Sequence, residues 1–417
     1  MKILLITRYF PPLEGVATHR LFAWAKYWSR MGHEVTICTT LKGERSQPIE
    51  GLRILEVPYF DPLTFCGADK LKQASSSGPR SRLSSLLLGW YRRRLNERLP
   101  GRTDHWITQA KKVLRQEEEF DLIVSSYGPP SAHMIGLWAK QHFQCLWFAD
   151  FRDLWVKNHN YIGIWPLTWL EKVLERKVAR HADLAITVSQ GLKKILQSQY
   201  EDLDVRVVPN GFDPENYQGL QARKSAKFSL VYTGTLYESH HRLEPLFQAL
   251  RNLLDHDPDF AMRFELLFYG SATRYLHNMI EKYHLGSLVI HKGEVTHKEA
   301  LQAQCDAEAL LLLDFAHHYE GLMSGKVYEY MYAGQPILGL GVAPGSELGQ
   351  LIVNAKCGIL CDNREKDIAK TLTALMKGHY LHQGDRIFIE QFSRKNQAEV
   401  ITSWALKCSQ RTISSSQ

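Results

Sequence analysis

The 417-residue sequence predicts an α/β protein of two Rossmann-like domains facing across a cleft. Three observations carry that expectation. The chain is too long for one ordinary domain, and two of roughly 200 residues each are expected. Apolar runs of strand length recur along it, many followed by a glycine-bearing loop and a helical stretch, as in parallel sheets buried on both faces. This strand-loop-helix pattern then restarts near Lys227, after a turn-forming Pro209-Asn210-Gly211.

Composition narrows the class. Hydrophobic residues make up 44%, ample for two cores. No apolar run reaches the 18 or so residues of a membrane-spanning helix. The opening Met1-Lys2-Ile3-Leu4-Leu5-Ile6 resembles a signal peptide, but Thr7, Arg8 and Pro11-Pro12 cut it short, so it reads as a first buried strand. The seven cysteines are scattered. Cys357 and Cys361 lie four apart with no second pair or histidine cluster nearby, so no metal site is expected, and the thiols read as buried or free in a cytosolic protein. A net charge of +7 is a modest basic excess, and no motif that reads nucleic acid accompanies it.

The first half reads in order. Residues 2–6 form a strand, 10–16 a loop, 17–32 a helix and 32–39 a second strand. This βαβ opening seats Glu14 and Gly15 at the C-terminal edge of the first strand. A third strand follows at 52–58. Residues 59–100 form a basic insertion with a Ser/Gly-rich centre, 74–81. Its segment 83–99 mixes Trp90 and Tyr91 with Arg92, Arg93 and Arg94. On a helix that suits either an anionic membrane interface or packing against its own domain with a solvated basic face. A helix at 106–116 leads to a strand at 120–126 that ends in Tyr127-Gly128-Pro129-Pro130, with His133 in the first turn of the next helix. The strand at 145–149 ends in Asp150-Phe151-Arg152-Asp153-Leu154-Trp155. Such a cluster serves as an internal ion-pair brace or a substrate grip. The expectation is that Arg152 is paired structurally, with Asp153 beside it, and that Asp150 faces the cleft. A helix at 165–180 carries charges along one side, and the strand at 205–208 leads to Asn210.

In the second half, the strand beginning at Phe228 ends in the loop Gly234-Thr235, ahead of Arg242 and a helix at 243–254. Arg242 is either a phosphate ligand or a solvated helix-start residue. Strands at 264–269 and 289–293 end in Gly270 and in Gly293-Glu294, and a helix opens at His297. Residues 309–313 and 337–340 are apolar strands that bracket Tyr319-Glu320-Gly321-Leu322-Met323-Ser324-Gly325-Lys326-Val327-Tyr328-Glu329-Tyr330-Met331-Tyr332-Ala333-Gly334-Gln335-Pro336. A loop there opening a helix at the sheet's C-terminal edge offers unpaired N–H groups, which suit phosphate. Gly321, Ser324 and Gly325 would let backbone approach a ligand closely. Glu329 suits a pair of vicinal sugar hydroxyls, since a carboxylate accepts two hydrogen bonds; it equally suits a helix-start cap. Further helices follow 346 and at 368–376, with a last strand at 358–360 and a terminal helix at 387–407. The tail, 412–417, is expected to be disordered.

Residues 326–336 resemble the donor-sugar-nucleotide loop of glycosyltransferase family 4, retaining enzymes of GT-B fold. Val208-Pro209-Asn210-Gly211-Phe212-Asp213 is similar to that family's interdomain hinge, and Asp150 to Trp155 to its bacterial surface-polysaccharide branch. The resemblance runs from Lys2 to about Trp404. It departs where the family's first loop glutamate would stand, since that position is Gly321 with Glu320 one residue off. It implies an acceptor domain over 1–207, joined by a returning helix at 387–410, and a donor domain over 208–386. It implies that Gly15, Gly234, Thr235, Gly270, Glu294, Ser324, Gly325, Lys326, Val327 and Glu329 hold the donor, with Glu294 in the stretch that seats the base. Asp150, Arg242 and Lys326 would be catalytic, the two cations neutralising the leaving diphosphate. Glu14, Tyr127, His133, Arg152 and Asp153 would line the acceptor side.

The implied reaction is retaining transfer of a sugar from a UDP- or GDP-sugar to a lipid-linked or other saccharide of a surface polysaccharide. No cofactor or metal is expected. Partners would be the nucleotide-sugar, the acceptor and an anionic membrane surface, with no nucleic acid. The implied location is cytoplasmic, peripheral on the inner face of the membrane. Two alternatives stay open: a nucleotide-sugar 2-epimerase on the same fold, and a non-catalytic nucleotide-sugar-binding homologue.

Overall fold

The computed structural model describes residues 1–41, 48–60, 98–99, 101, 103–158, 165–223, 225–236, 238, 241–271, 274–314, 321, 323–380 and 382–415. The chain divides into two compact units, Met1–Pro209 with Gln397–Gln417, and Asn210–Asn396.

Unit 1 is built on a seven-stranded sheet of order β3-β2-β1-β4-β5-β6-β7, with all neighbours parallel. The strands are β1 (Lys2–Ile6), β2 (Glu34–Thr40), β3 (Leu52–Val57), β4 (Leu122–Ser126), β5 (Leu146–Phe151), β6 (Leu184–Thr187) and β7 (Val205–Val207). Most read as continuous apolar runs because helices cover both faces. Those helices include α1 (Val16–Arg30), α2 (Asp104–Leu114), α3 (Ser131–Phe143), α4 (Leu167–His181) and α5 (Gln190–Gln199). The strand order reverses direction between β1 and β4, so the loops after them diverge and leave a crevice at the C-terminal edge. The basic insertion is largely outside the described residues, and with it the segment 83–97.

Unit 2 has a six-stranded sheet of order β10-β9-β8-β11-β12-β13, again parallel. Its strands are β8 (Phe228–Thr233), β9 (Phe264–Tyr269), β10 (Val289–Gly293), β11 (Ala309–Leu313), β12 (Ile337–Leu340) and β13 (Gly358–Cys361). Helices α6 (Glu244–His256), α7 (Phe260–Arg263), α8 (Arg274–Lys282), α9 (His297–Asp306), α10 (Lys326–Ala333), α11 (Glu347–Asn354), α12 (Glu365–Met376) and α13 (Arg386–Glu390) complete the unit, and a 3-10 turn, Pro214–Tyr217, precedes β8. Here the order reverses between β8 and β11, and the loops after these two strands carry Gly234 and the run up to Lys326.

The terminal helix departs from expectation. Instead of one run over 387–407 there are two, α13 and α14 (Arg394–Ser415). Ser393 makes a parallel bridge to Phe212, the Arg394 amide donates to the Phe212 carbonyl at 2.9 Å, and the Ser393 hydroxyl accepts from the Asn396 amide. Backbone committed to that bridge cannot also continue a helix. From Gln397 on, α14 belongs to unit 1. Trp24 donates its indole N–H to the Gln397 side chain and Trp28 to the Ala398 carbonyl, and Ala398, Ile401 and Ala405 join the core around α1. The helix continues to Ser415, where a disordered tail was expected.

Candidate functional site

In unit 2 the reversal of strand order brings the expected donor residues to one sheet edge. Gly234, after β8, donates its amide to Tyr269 at 2.8 Å, and the Gly270 amide donates to Gly293 at 2.7 Å, so the loops after β8, β9 and β10 are stitched in a row. Gly270 has φ +121, and a Cβ there would meet the Gly234 carbonyl oxygen at 2.6 Å. Glycine is therefore required at 270 to let two loops touch, both for conformation and for room. Glu294 extends the row, accepting from the Ser271 hydroxyl. Thr235 is exposed and takes the Tyr232 hydroxyl on its carbonyl.

Lys326, the first residue of α10, reaches back to this row. Its Nζ lies 3.9 Å from the centre of the Tyr232 ring and would be 3.2 Å from a Cβ on Gly234. Burial pushes its ammonium down to about 7, against the opposing pull of the Glu329 carboxylate. Such a lysine sits near half-ionised at neutrality, and an arriving phosphate would restore its charge.

One turn along α10, Glu329 pairs with His297 at 2.9 Å. Burial alone would raise the Glu329 carboxyl. The hydrogen bond and charge of His297, the charge of Arg394 and a hydrogen bond from Gln304 outweigh it and hold the group below its usual value. Glu329 is thus an ionised acceptor with one oxygen engaged by the first residue of α9, not a cap. α10 is fixed by aromatic side chains on its buried face. The Tyr330 hydroxyl accepts from the Thr233 amide at 2.9 Å, Tyr332 stacks on Phe212 at 4.2 Å, and Tyr217 donates to the Glu329 carbonyl at 3.0 Å.

Some expected donor residues are placed differently. The Val327 side chain is buried and its amide is turned to the Ser324 carbonyl at 3.3 Å, so it is core and not a free phosphate donor. Gly325 has φ −61, which any residue adopts. Arg242 is exposed ahead of α6, and no contact among the described residues joins its guanidinium to Lys326. Glu320 lies outside the described residues. A cavity of about 640 Å³ lies at the other end of α10, lined among others by Tyr217, Cys305, Tyr332, His382 and Arg386, away from the Lys326 edge.

In unit 1, Gly15 caps α1 at φ +136, with nothing near a prospective Cβ, so conformation and not crowding calls for glycine. Glu14 is exposed and pairs with His19 at 3.4 Å. In the Asp-Arg-Asp cluster Arg152 is paired, as expected, but Asp150 does not face open space. Asp150 is fully buried. It pairs with Arg20 at 3.3 Å and accepts from the Ser126 hydroxyl at 2.7 Å. Arg20, also fully buried, donates to the carbonyls of Val208 at 2.8 Å and Pro209 at 2.7 Å and lies over Trp24. Asp150 is therefore the brace and has no surface to offer a substrate. Arg152 remains partly exposed, donating to the Tyr127 carbonyl and pairing with Asp153 at 3.0 Å.

Tyr127 and His133 are buried too, against the expectation that they line the acceptor side. His133 Nδ1 meets the Ser125 hydroxyl at 2.8 Å among Tyr127, Trp147 and Phe151, and burial pushes its pKa down to about 3. It is a neutral core histidine. Sequence reasoning missed Arg20 and, although it set His297 at the start of a helix, missed its pairing with Glu329. Arg20 carried no signal. His297 is the first helical residue inside the capping box Thr296-x-x-Glu299, which fixes the start of α9 and so puts residue 297 at the sheet edge.

Two family models match, one over most of each unit. Glycosyltransferase Family 4 covers residues 15–216, and Glycosyl transferases group 1 covers 227–378. The chain belongs to the glycosyltransferases of GT-B fold. No curated protein matches the sequence. Solved structures share the fold at low identity. HepE from Anabaena in complex with UDP is 14% identical, with TM-score 0.63 over 98% of this chain and 100% of that one. Sucrose-phosphate synthase from Thermosynechococcus elongatus is 15% identical, with TM-score 0.60 over all of both chains. The lipopolysaccharide outer core galactosyltransferase WaaB is 15% identical, with TM-score 0.58 over 96% of this glycosyltransferase and 100% of WaaB.

Proposed function

We propose that this glycosyltransferase moves a sugar, with retention, from a UDP- or GDP-sugar to a lipid-linked saccharide of a surface polysaccharide. The observation that carries the donor half is the meeting of Lys326, Gly234 and the Glu329–His297 pair at one sheet edge. Lys326 neutralises the diphosphate as it leaves, and Glu329, steered by His297 and Gln304, accepts from sugar or ribose hydroxyls with its remaining lone pairs. Two residues expected to face the cleft, Asp150 and His133, are buried and so are withdrawn as bases for the acceptor. That supports a reading in which the departing phosphate takes the acceptor's proton. HepE complexes with UDP and UDP-glucose support a nucleotide-sugar donor. The reading needs no cofactor and no metal.

Titration calorimetry with UDP- and GDP-sugars tests it. Wild type should bind one of them. Glu329→Ala and Lys326→Ala should each weaken binding about tenfold to a hundredfold, as expected for losing charged hydrogen bonds. Binding that both substitutions leave untouched would remove this edge as the donor site.

A further inference from the structure

α4 presents an outer face that the fold does not use. Trp165, just before the helix, is 82% exposed and Trp169 is 66% exposed, with Leu170 and Val173 also exposed beside them. Large apolar groups gathered this way on a surface mark an interaction site. At 3.6 residues per turn, Trp169, Leu170, Lys172, Val173, Arg176, Lys177 and Arg180 share one arc of the helix. The helix's two acidic residues, Glu171 and Glu175, point the opposite way and are buried. The exposed arc is therefore aromatic and apolar in its first turns, basic in its last, and free of negative charge.

Two neighbouring features extend it. Burial first, then the charges of Arg115 at the C-cap of α2 and of Lys177 on α4, hold Lys111 below the usual lysine range, so further cations border the arc. The end of the basic insertion is fastened to the inner side of the same helix. Arg98 pairs with Glu171 at 2.8 Å, and Glu171 also accepts from the Leu99 amide and the Trp155 indole. The buried side of α4 is thus tied down by ion pairing and indole contact, and the outer side is left exposed.

We propose that the outer face of α4 docks unit 1 onto an anionic lipid bilayer. Indoles favour the headgroup level, short aliphatic side chains reach the acyl boundary, and lysine and arginine meet anionic headgroups. No helix among the described residues is long and apolar enough to cross a membrane. A second copy of this chain is the poorer fit, since two such basic faces would repel. The proposal goes beyond the reaction proposed above. It rests on that reading only for its purpose, since lipid binding and donor binding are measured separately.

The test is co-sedimentation of the full chain with phosphatidylcholine vesicles, with and without phosphatidylglycerol. The variants are Trp165→Ser/Trp169→Ser and Lys172→Gln/Arg176→Gln/Lys177→Gln, all at exposed positions. Wild type should bind the anionic vesicles, less so at high salt, and little to neutral ones. Each variant should lower partitioning about tenfold while keeping the wild-type melting temperature. Equal binding by all three proteins would overturn the proposal and assign attachment to another segment. Absence of vesicle binding would also overturn it, as would self-association that the tryptophan variant abolishes. Calorimetry with UDP- and GDP-sugars on the same preparations shows independently whether the donor reading stands.

Discussion

Lys326 holds its charge weakly at neutral pH because burial opposes it. Protonated lysine binds a diphosphate better than neutral lysine, so a bound diphosphate raises the lysine's pKa and binding takes up a proton above the free value of about 7. Affinity for whichever UDP- or GDP-sugar binds should be level below that value. It should fall as pH rises from about 7 to 9, by up to roughly tenfold per unit. Calorimetry across that range checks it, and a nucleotide-sugar is the right probe because its diphosphate carries no proton that titrates there. Lys326→Arg, always charged, should bind with a flat profile. A slope surviving in that variant would mean that another group titrates and that Lys326 does not face the phosphates. At this scale the sequence placed Lys326, Glu329 and the glycines of the strand-end loops at a sheet edge, because a glycine-bearing loop opening a helix implies that position. It misjudged Asp150, because the Arg20 that claims it lies 130 residues earlier and belongs to no motif.

At the scale of elements, the Asp150–Arg20 pair ties the end of β5 to α1 and to the carbonyls through which the chain leaves β7. Removing one partner strands the other charge in the core. Asp150→Ala should cost about 3–5 kcal/mol by chemical denaturation. Asp150→Ala combined with Arg20→Met should cost clearly less, since no lone charge remains. A double variant as unstable as the single one would show that the hydrogen bonds from Arg20 to the backbone matter more than the ion pair. Strands were legible throughout, because a parallel strand covered on both faces is a plain apolar run. The break between α13 and α14 was not. It is imposed by backbone pairing between Ser393 and Phe212, and local propensity across 387–407 gives no hint of it.

At the scale of the whole molecule, the family and both Rossmann-like units were legible, but the integrity of unit 1 depends on the last turns of the chain. α14 covers Trp24 and Trp28 and takes hydrogen bonds from both. Ending the chain at Asn396 should abolish cooperative melting of unit 1 in scanning calorimetry, while the melting transition of unit 2 persists. Retention of both transitions would show that the packing of α14 on α1 is dispensable.

That dependence sets an order in time. The indole of Trp28 and the carbonyl it bonds are separated by 370 residues. At roughly 5–20 residues per second of synthesis, the first-made half waits on the order of a minute for its final helix. During that interval a pair of tryptophans stands uncovered beside the ribosome, and the half that was started first is the last to become whole.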